Sequence, residues 1–160
     1  MTAVTAYDAV KALHVIAAFA AYGLPFAYPF LLPYLHRHHP RALPGVHDVQ
    51  HRLNLALTGP GTVALLAFGA FMATRHHLWG QTWVTVPLVI LAVIVVAGGA
   101  IVRWTAQLAR LAHADVQAAG PAVTFGPAYS AVYRRYMATE VLLGALVLVA
   151  IFFMVAKPFG

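Results

Sequence analysis

A long apolar stretch near the start of the chain constrains the fold more than any other feature. Residues 11–33 (KALHVIAAFAAYGLPFAYPFLLP) contain no charged side chain after Lys11. A transmembrane helix needs about 20 mostly apolar residues, so we predict that this stretch crosses a bilayer. We expect it to be retained rather than cleaved as a signal peptide, because Asp8 precedes the first basic residue and the apolar run is long.

The rest of the chain repeats this pattern. Charged residues make up only 9% of the 160 residues, against about 25% in soluble domains. Four apolar runs predict an all-α integral membrane four-helix bundle, one transmembrane domain over residues 1–160, with spans near 7–35, 53–74, 83–104 and 129–156. The net charge of +6 comes from loops between these runs, which favours a lipid bilayer over nucleic acid as the partner. The absence of cysteine excludes disulfides and thiolate metal sites.

Prolines and glycines predict how the spans are interrupted. Pro25, Pro29 and Pro33 are four residues apart and should bend the first span. Residues 36–52 are rich in His, Pro and Gly and read as a solvated loop, and residues 111–127 as a second loop. Residues 105–110 should prolong the third helix into water. Two sets of histidines in the first loop are alternative metal sites: His36, His38 and His39, or His47 with His51, which are four residues apart and would share a helix face.

Basic residues predict the orientation of the chain. Four spans place both termini and the 2–3 turn on one side, which carries Lys11, Arg75 and Lys157. The opposite side carries seven arginines: Arg37, Arg41, Arg52, Arg103, Arg110, Arg134 and Arg135. Because basic residues concentrate in cytoplasmic loops, we expect both termini on the non-cytoplasmic side.

Three ionisable residues lie within the predicted spans: His14, Arg103 and Glu140. Such groups are costly in lipid and are candidates for function. Glu140 should lie at the depth of Arg52 and Arg103, which favours an ion pair between Glu140 and one of them. This pair would lock two helices together, relay protons, or present an arginine to a cofactor propionate.

His14 has two open interpretations. It shares a helix face with Ala17, Ala18 and Ala21, so its ring either packs in the bundle with a hydrogen bond, or ligates the metal of a haem. Met72 or Met154 would then be the second axial ligand, since Met opposite His is an accepted haem pair. His76, His77, a five-coordinate iron and a dimer that shares His14 remain alternatives.

The order of short motifs resembles a known group of proteins. These motifs are KALH (11–14), RLNLALTGPG (52–61), Gly69, Trp83, YRRYMATE (133–140) and the closing Lys157-Pro158. They resemble small four-span bacterial membrane proteins of the HemJ-type protoporphyrinogen oxidase and copper-resistance-protein-D-like group, above all their relatives described as predicted integral membrane proteins. The resemblance covers nearly the whole chain through short motifs.

The resemblance implies an all-helical bundle in the bacterial inner (cytoplasmic) membrane, often associated with haem b. It implies that His14 is the haem ligand. It also implies that Arg52 corresponds to the arginine that opens span 2 in the HemJ type, and Glu140 to the glutamate of its span 4. The chain departs from that pattern in three places. No lysine follows Trp83, Thr139 stands where an asparagine is usual, and no tryptophan follows His14.

We therefore expect a membrane protein that binds haem b. Its role would be electron transfer, or support of a redox partner as a subunit. The residues expected at the cofactor are His14, Met72, Met154, Arg52, Arg103 and Glu140. One alternative is a HemJ-like enzyme that oxidises a porphyrinogen and passes electrons to a quinone. Others are a transporter of a metal or small solute, and a cofactor-free structural subunit. The small-residue faces also suit a homo-oligomer.

Overall fold

The computed structural model describes residues 5–158, and in that range it is helical with no strand. Six α-helices follow one another: α1 (Ala6–Tyr22), α2 (Tyr28–His38), α3 (Leu43–Leu53), α4 (Gly59–Arg75), α5 (Thr82–Ala118) and α6 (Pro127–Ala156). Two 3-10 turns, Pro25–Ala27 and Pro40–Ala42, and a π-helical turn, Asn54–Thr58, connect the first four. The all-α class predicted from the sequence is confirmed.

Three continuous helices are long and apolar enough to cross a membrane: Pro40–Arg75, Thr82–Ala118 and Pro127–Ala156. The pair Ala6–Tyr22 and Pro25–His38 is bent by 42° and adds a fourth span if it is counted as one. The predicted bend in the first span is therefore confirmed. Pro25 and Pro29 each open a new helical segment, where a missing N–H costs nothing, and Pro33 lies inside α2.

The two predicted loops are wrong in their extent. Residues 40–53 are helical, because Pro40 and Pro44 occupy the first turn of a helix, where proline fits without loss of a hydrogen bond. The helix then continues through the π-helical turn into α4. Likewise α5 runs to Ala118, which confirms the predicted extension beyond residue 104 but shortens the second loop to residues 119–126.

Helices α1 and α4 pack antiparallel, as do α5 and α6. Ala21 lies against Gly61, and the Tyr7 ring lies 4.5 Å from the His76 ring, centroid to centroid. In the second pair, the Lys157 ammonium lies 4.8 Å above the ring of Trp83. The start of α1, the α4–α5 turn and the end of α6 are therefore at the same end of the molecule, which we call the turn end.

The opposite end, which we call the loop end, is tied together by polar contacts. Arg41 donates to the carbonyl of Gly120. His113 lies 2.8 Å from the carboxylate of Asp48 and so joins α5 to α3. A buried cluster of apolar and aromatic side chains lies beneath these contacts: Tyr28, Leu32, Leu43, Ile101, Leu108, Ala112, Tyr129, Val132 and Tyr136.

Candidate functional site

A cavity of about 590 Å³ lies beside the bend between α1 and α2. The π-helical turn, α4, α5 and α6 complete its wall. The lining is mostly aliphatic and aromatic, and its polar side chains are Tyr22, Asn54, Thr58, Thr62 and Glu140. The volume is within the range of roughly 300–1,000 Å³ that is usual for small-molecule sites. This cavity is therefore the candidate ligand site.

Local sequence explains why the helix wall bulges at this point. Pro60 has no N–H to donate and its ring collides with the carbonyl four residues earlier. The chain responds with a wider turn, in which the N–H of Gly59 donates to the carbonyl of Asn54, five residues back. Such π-helical turns often occur at functional sites. Here the turn places Asn54 and Thr58 in the cavity wall.

Two of the polar side chains in the wall satisfy each other. The hydroxyl of Thr62 donates to the carbonyl of Thr58 at 2.7 Å. Its oxygen lies 3.0 Å from the hydroxyl of Tyr22, which is therefore the donor of that second bond. These groups fix α1 against α4 and leave no free hydrogen on Thr62 for a ligand.

A chain of four buried hydrogen bonds leads from the loop end to the cavity. Tyr129 meets Nε2 of His47 at 3.0 Å, and Nδ1 of His47 meets Oε1 of Gln50 at 3.0 Å. Gln50 then donates through Nε2 to the hydroxyl of Tyr136. Tyr136 donates to Oε1 of Glu140, which lines the cavity. We call these five side chains the polar chain.

Every bond in the polar chain has the same direction. Because Oε1 of Gln50 can only accept, Nδ1 of His47 carries the hydrogen, and Nε2 accepts from Tyr129. The hydroxyl of Tyr136 accepts from Gln50, so its own hydrogen goes to Glu140. All donors therefore point toward Glu140. His47, Gln50, Tyr129 and Tyr136 are each no more than 1% exposed, so the chain is closed to solvent.

The predicted ion pair of Glu140 is wrong. Glu140 is buried and hydrogen-bonded to Tyr136, whereas Arg52 and Arg103 are exposed and line no part of the cavity. Among residues 5–158 the salt bridge is that of His113 with Asp48. The arginines point outward because each lies on a helix face opposite the buried one. Of the six residues predicted at a cofactor, the cavity wall therefore contains Glu140 alone.

His14 is half-buried in the contact between α1 and α4. Its Nδ1 lies 3.1 Å from the carbonyl oxygen of Leu65, to which it donates. The ring rests on Gly69, where an added Cβ would come within 3.2 Å of Cε1 of His14. His14 lines neither the large cavity nor the shallow depression near Phe71 and His77.

The remaining predicted ligands lie apart from the cavity. Met72 is half-buried on α4, and Met154 is 39% exposed on α6. His51 donates from Nδ1 to Thr105, and both ring nitrogens of His47 are taken by the polar chain, so these two imidazoles do not converge on a metal. In the described part of the chain, no three His, Cys, Asp or Glu side chains form a metal-binding group.

Comparison with known proteins agrees with this architecture. The model of the family "Predicted integral membrane protein (DUF2269)" matches residues 8–158. The chain belongs to this family. No curated protein and no solved structure matches the chain. The predicted resemblance to predicted integral membrane proteins is confirmed. It follows that the chain is a multi-pass protein embedded in a lipid bilayer.

Sequence reasoning missed most of the polar chain of this DUF2269 protein. His47, Gln50 and Asn54 are spaced three and four residues apart, as on one helix face, but His47 and Gln50 fall in residues 36–52, which read as a loop, and only Asn54 falls in a predicted span. Tyr129, Tyr136 and Glu140 also share a face. Helical spacing was therefore present in both segments. In the first segment, the prolines led us to predict a loop instead of a helix.

Proposed function

We propose that this protein binds an apolar ligand with a small polar head group inside the membrane. The cavity at the α1–α2 bend carries the proposal, because it combines an aliphatic and aromatic wall with the buried carboxyl of Glu140. A buried ionisable group in a membrane helix has a high cost and is retained for function by default. The polar chain that holds Glu140 gives that carboxyl a defined position.

Two neighbouring glycines of α5 provide a matched test. Gly98 lines the cavity and Gly99 does not, and an added Cβ meets nothing within 4 Å at either position. Gly98→Leu should fill the cavity without a clash, whereas Gly99→Leu adds the same bulk elsewhere. We expect mass spectrometry of extracts from the purified wild type and Gly99→Leu to find a retained lipophile that Gly98→Leu lacks. Identical extracts from all three proteins would overturn the proposal.

A second candidate is the binding of haem b by His14, with electron transfer or support of a redox partner as its role. It is supported by the bond from Nδ1 to Leu65, because a ligating histidine usually donates its other nitrogen to a carbonyl or carboxylate and keeps Nε2 for the iron. Bound haem supplies one-electron redox chemistry. Haem at His14 would also serve the HemJ-like reaction, in which a porphyrinogen is oxidised.

The fit of haem inside one chain is poor. His14 lines neither the large cavity nor the shallow depression near Phe71 and His77, and the large cavity offers no imidazole or thioether. Haem would therefore have to lie on the lipid-facing side, or between two copies, with Met72 or Met154 as second ligand. An absorption spectrum of the purified protein tests this candidate. A Soret band that is lost in His14→Ala supports it, and a colourless protein from haem-supplied cells excludes it.

We also propose that the turn end faces away from the cytoplasm, in the inner membrane of a bacterium. The exposed arginines Arg37, Arg41, Arg110, Arg134 and Arg135 support this orientation. Because the chain has no cysteine, single substitutions can report the side directly. Gly80→Cys at the turn end should react with a membrane-impermeant maleimide in intact cells, and Gly120→Cys at the loop end should react only after lysis. The reverse pattern would invert the topology.

A further inference from the structure

Glu140 is the acidic side chain of the cavity wall. Among residues 5–158, no Lys, Arg or His side chain forms a salt bridge with it or lines the cavity. Its Oε1 accepts the hydrogen of Tyr136. Its Oε2 has no hydrogen-bond partner in that range and yet is not fully buried. Oε2 is therefore the atom that Glu140 offers to a ligand.

The ionisable side chains around Glu140 are tyrosines, which are neutral at ordinary pH. Tyr136 of α6 is hydrogen-bonded to it, Tyr28 of α2 is near enough to interact with its charge, and Tyr22 of α1 lines the same cavity. Within the described residues, the π-helical turn, α4 and α5 contribute no ionisable side chain to the wall. An unpaired charge in apolar surroundings is much less stable than a neutral acid, so the empty cavity holds a protonated Glu140.

The polar chain favours a negative charge on Glu140 once a cation is present. All four of its hydrogen bonds donate toward Glu140. A hydrogen bond to a carboxylate is about twice as strong as one between neutral groups, and the bonds of such a chain strengthen one another. The described residues therefore stabilise the carboxylate but supply no positive charge to pair with it.

An aromatic ring lies beside this carboxyl. Gly144 follows Glu140 by about one helical turn on the same face of α6, and an added Cβ there would lie 3.6 Å from the ring of Phe26. Tyr22 and Phe30 add further aromatic surface to the wall. Because aromatic faces attract organic cations, the wall combines a carboxyl oxygen with rings against which a cation packs well.

We propose that the cavity binds a lipophilic organic cation, which exchanges with the proton of Glu140. On binding, the O–H bond at Oε2 breaks, the proton goes to water, and the remaining carboxylate forms an ion pair with the cation. One positive charge leaves the site and one enters, so its net charge is conserved. The apolar groups of the cation pack against Phe26 and the aliphatic wall. This inference rests on the proposed function, because it names the ligand class of the same cavity.

The composition of the wall argues against other charged ligands. A small metal cation such as Mg²⁺ takes about six oxygen ligands, and this wall is mostly aliphatic and aromatic. A zwitterionic phospholipid brings a phosphate group, for which the wall has no Lys, Arg or His among residues 5–158. A primary ammonium group has three N–H donors to satisfy. A quaternary or delocalised cation has none and needs only the opposite charge, so this is the class that fits.

The test compares two ions of the same shape and opposite charge. The full-length protein in detergent micelles is dialysed to equilibrium against tetraphenylphosphonium or tetraphenylborate, with protein-free micelles as the blank. Glu140→Gln keeps an oxygen for Tyr136 but cannot become charged, so it should bind tetraphenylphosphonium at least about thirtyfold more weakly than the wild type. Tetraphenylborate should bind the variant no more weakly than the wild type. Equal tetraphenylphosphonium binding by the two proteins, or an equal fall for both ions, overturns the inference.

Further variants separate the charge at this site from charge elsewhere. Asp48→Asn removes a carboxylate at the loop end, outside the cavity wall, and should leave the affinity for tetraphenylphosphonium unchanged. Gly98→Leu fills the cavity and should abolish binding, whereas Gly99→Leu should not. Phe26→Leu removes an aromatic face and should lower the affinity roughly fivefold. A loss in Asp48→Asn as large as that in Glu140→Gln contradicts the assigned site.

Proton exchange also predicts the sign of a pH dependence. Protons and the cation compete for Glu140, so the affinity of the wild type should rise with pH and level off once the free carboxyl is ionised. The rise should approach about tenfold per pH unit while that carboxyl is protonated. Binding in this range should release protons into a weakly buffered solution, detected with an indicator dye, and Glu140→Gln should release none. Affinity that does not change with pH, without proton release, overturns the exchange.

The failure of this inference is distinct from failure of the proposed function. If tetraphenylphosphonium does not bind, but the wild type retains a native lipophile that Gly98→Leu lacks, the cavity is a ligand site and the assignment of a cation is wrong. If it does not bind and the extracts of the wild type, Gly98→Leu and Gly99→Leu are identical, both are wrong.

Discussion

Two regions of the molecule hold an ionisable side chain within the membrane-crossing helices, and they are built differently. Along the contact between α1 and α4, which also holds His14, the two backbones approach closely: an added Cβ at Gly61 would lie 3.1 Å from the backbone nitrogen of Ala21. Around Glu140, the helices stand apart and leave the cavity between them. The first region is closed by backbone contact, and the second is open.

The two regions also satisfy their polar groups differently. His14 makes one hydrogen bond, to a carbonyl of Leu65 that in an α-helix also accepts the N–H four residues on. Glu140 ends a chain of side chains in which each member depends on the next. An isolated bond suits a packing role, whereas a directed chain beside a cavity suits a ligand site. This contrast is why we place the ligand at Glu140.

The largest effect should come from breaking the closed region. Gly61→Leu would force α1 away from α4, since the atoms of Ala21 that it meets belong largely to the backbone and cannot move aside. We expect the free energy of unfolding to fall by about 3 kcal/mol, measured by denaturant titration in mixed micelles. Gly99→Leu, where nothing lies within 4 Å, should change it by less than about 0.5 kcal/mol. Equal stability of the two variants would show that this contact is not tight.

A smaller effect should come from cutting the polar chain. Gln50→Leu leaves Nδ1–H of His47 and the oxygen of Tyr136 without partners in a solvent-free interior. We expect a loss of about 2 kcal/mol in the free energy of unfolding, with weaker ligand binding at the cavity. Gln107→Leu makes the same chemical change at a half-buried position of α5 and should be nearly neutral. If both variants are equally stable, the chain does not act as a unit.

Much of the architecture could be predicted from the sequence. Apolar runs of sufficient length identified the membrane-crossing segments, because lipid imposes one requirement on every residue of a span. Pro25 and Pro29 predicted the bend, because each removes a backbone donor. Glu140 was recognised as a candidate by its isolation among apolar residues.

The contacts of those residues could not be predicted, for physical reasons. Charge suggested an arginine as the partner of Glu140, but its carboxyl accepts a hydrogen bond from the hydroxyl of Tyr136 instead. Proline was read as a loop signal near residue 44, although at the first turn of a helix it is favourable. The small residues Gly61 and Gly98 look alike in sequence, and only the neighbouring helix decides that one is in contact and the other faces a cavity.

The smallest effect should come from Gly69→Ala, which probes how tightly the closed region surrounds His14. The added Cβ would lie 3.2 Å from Cε1 of His14, so the ring must move by a few tenths of an ångström. Because a side chain yields more readily than the backbone that opposes Gly61, we expect a loss below about 1 kcal/mol. A fall as large as that of Gly61→Leu would mean that the imidazole cannot move and is fixed by more than its bond to Leu65. In that case a ligand on Nε2, such as haem, becomes the better account of His14, and a parallel shift of any Soret band in Gly69→Ala would identify it.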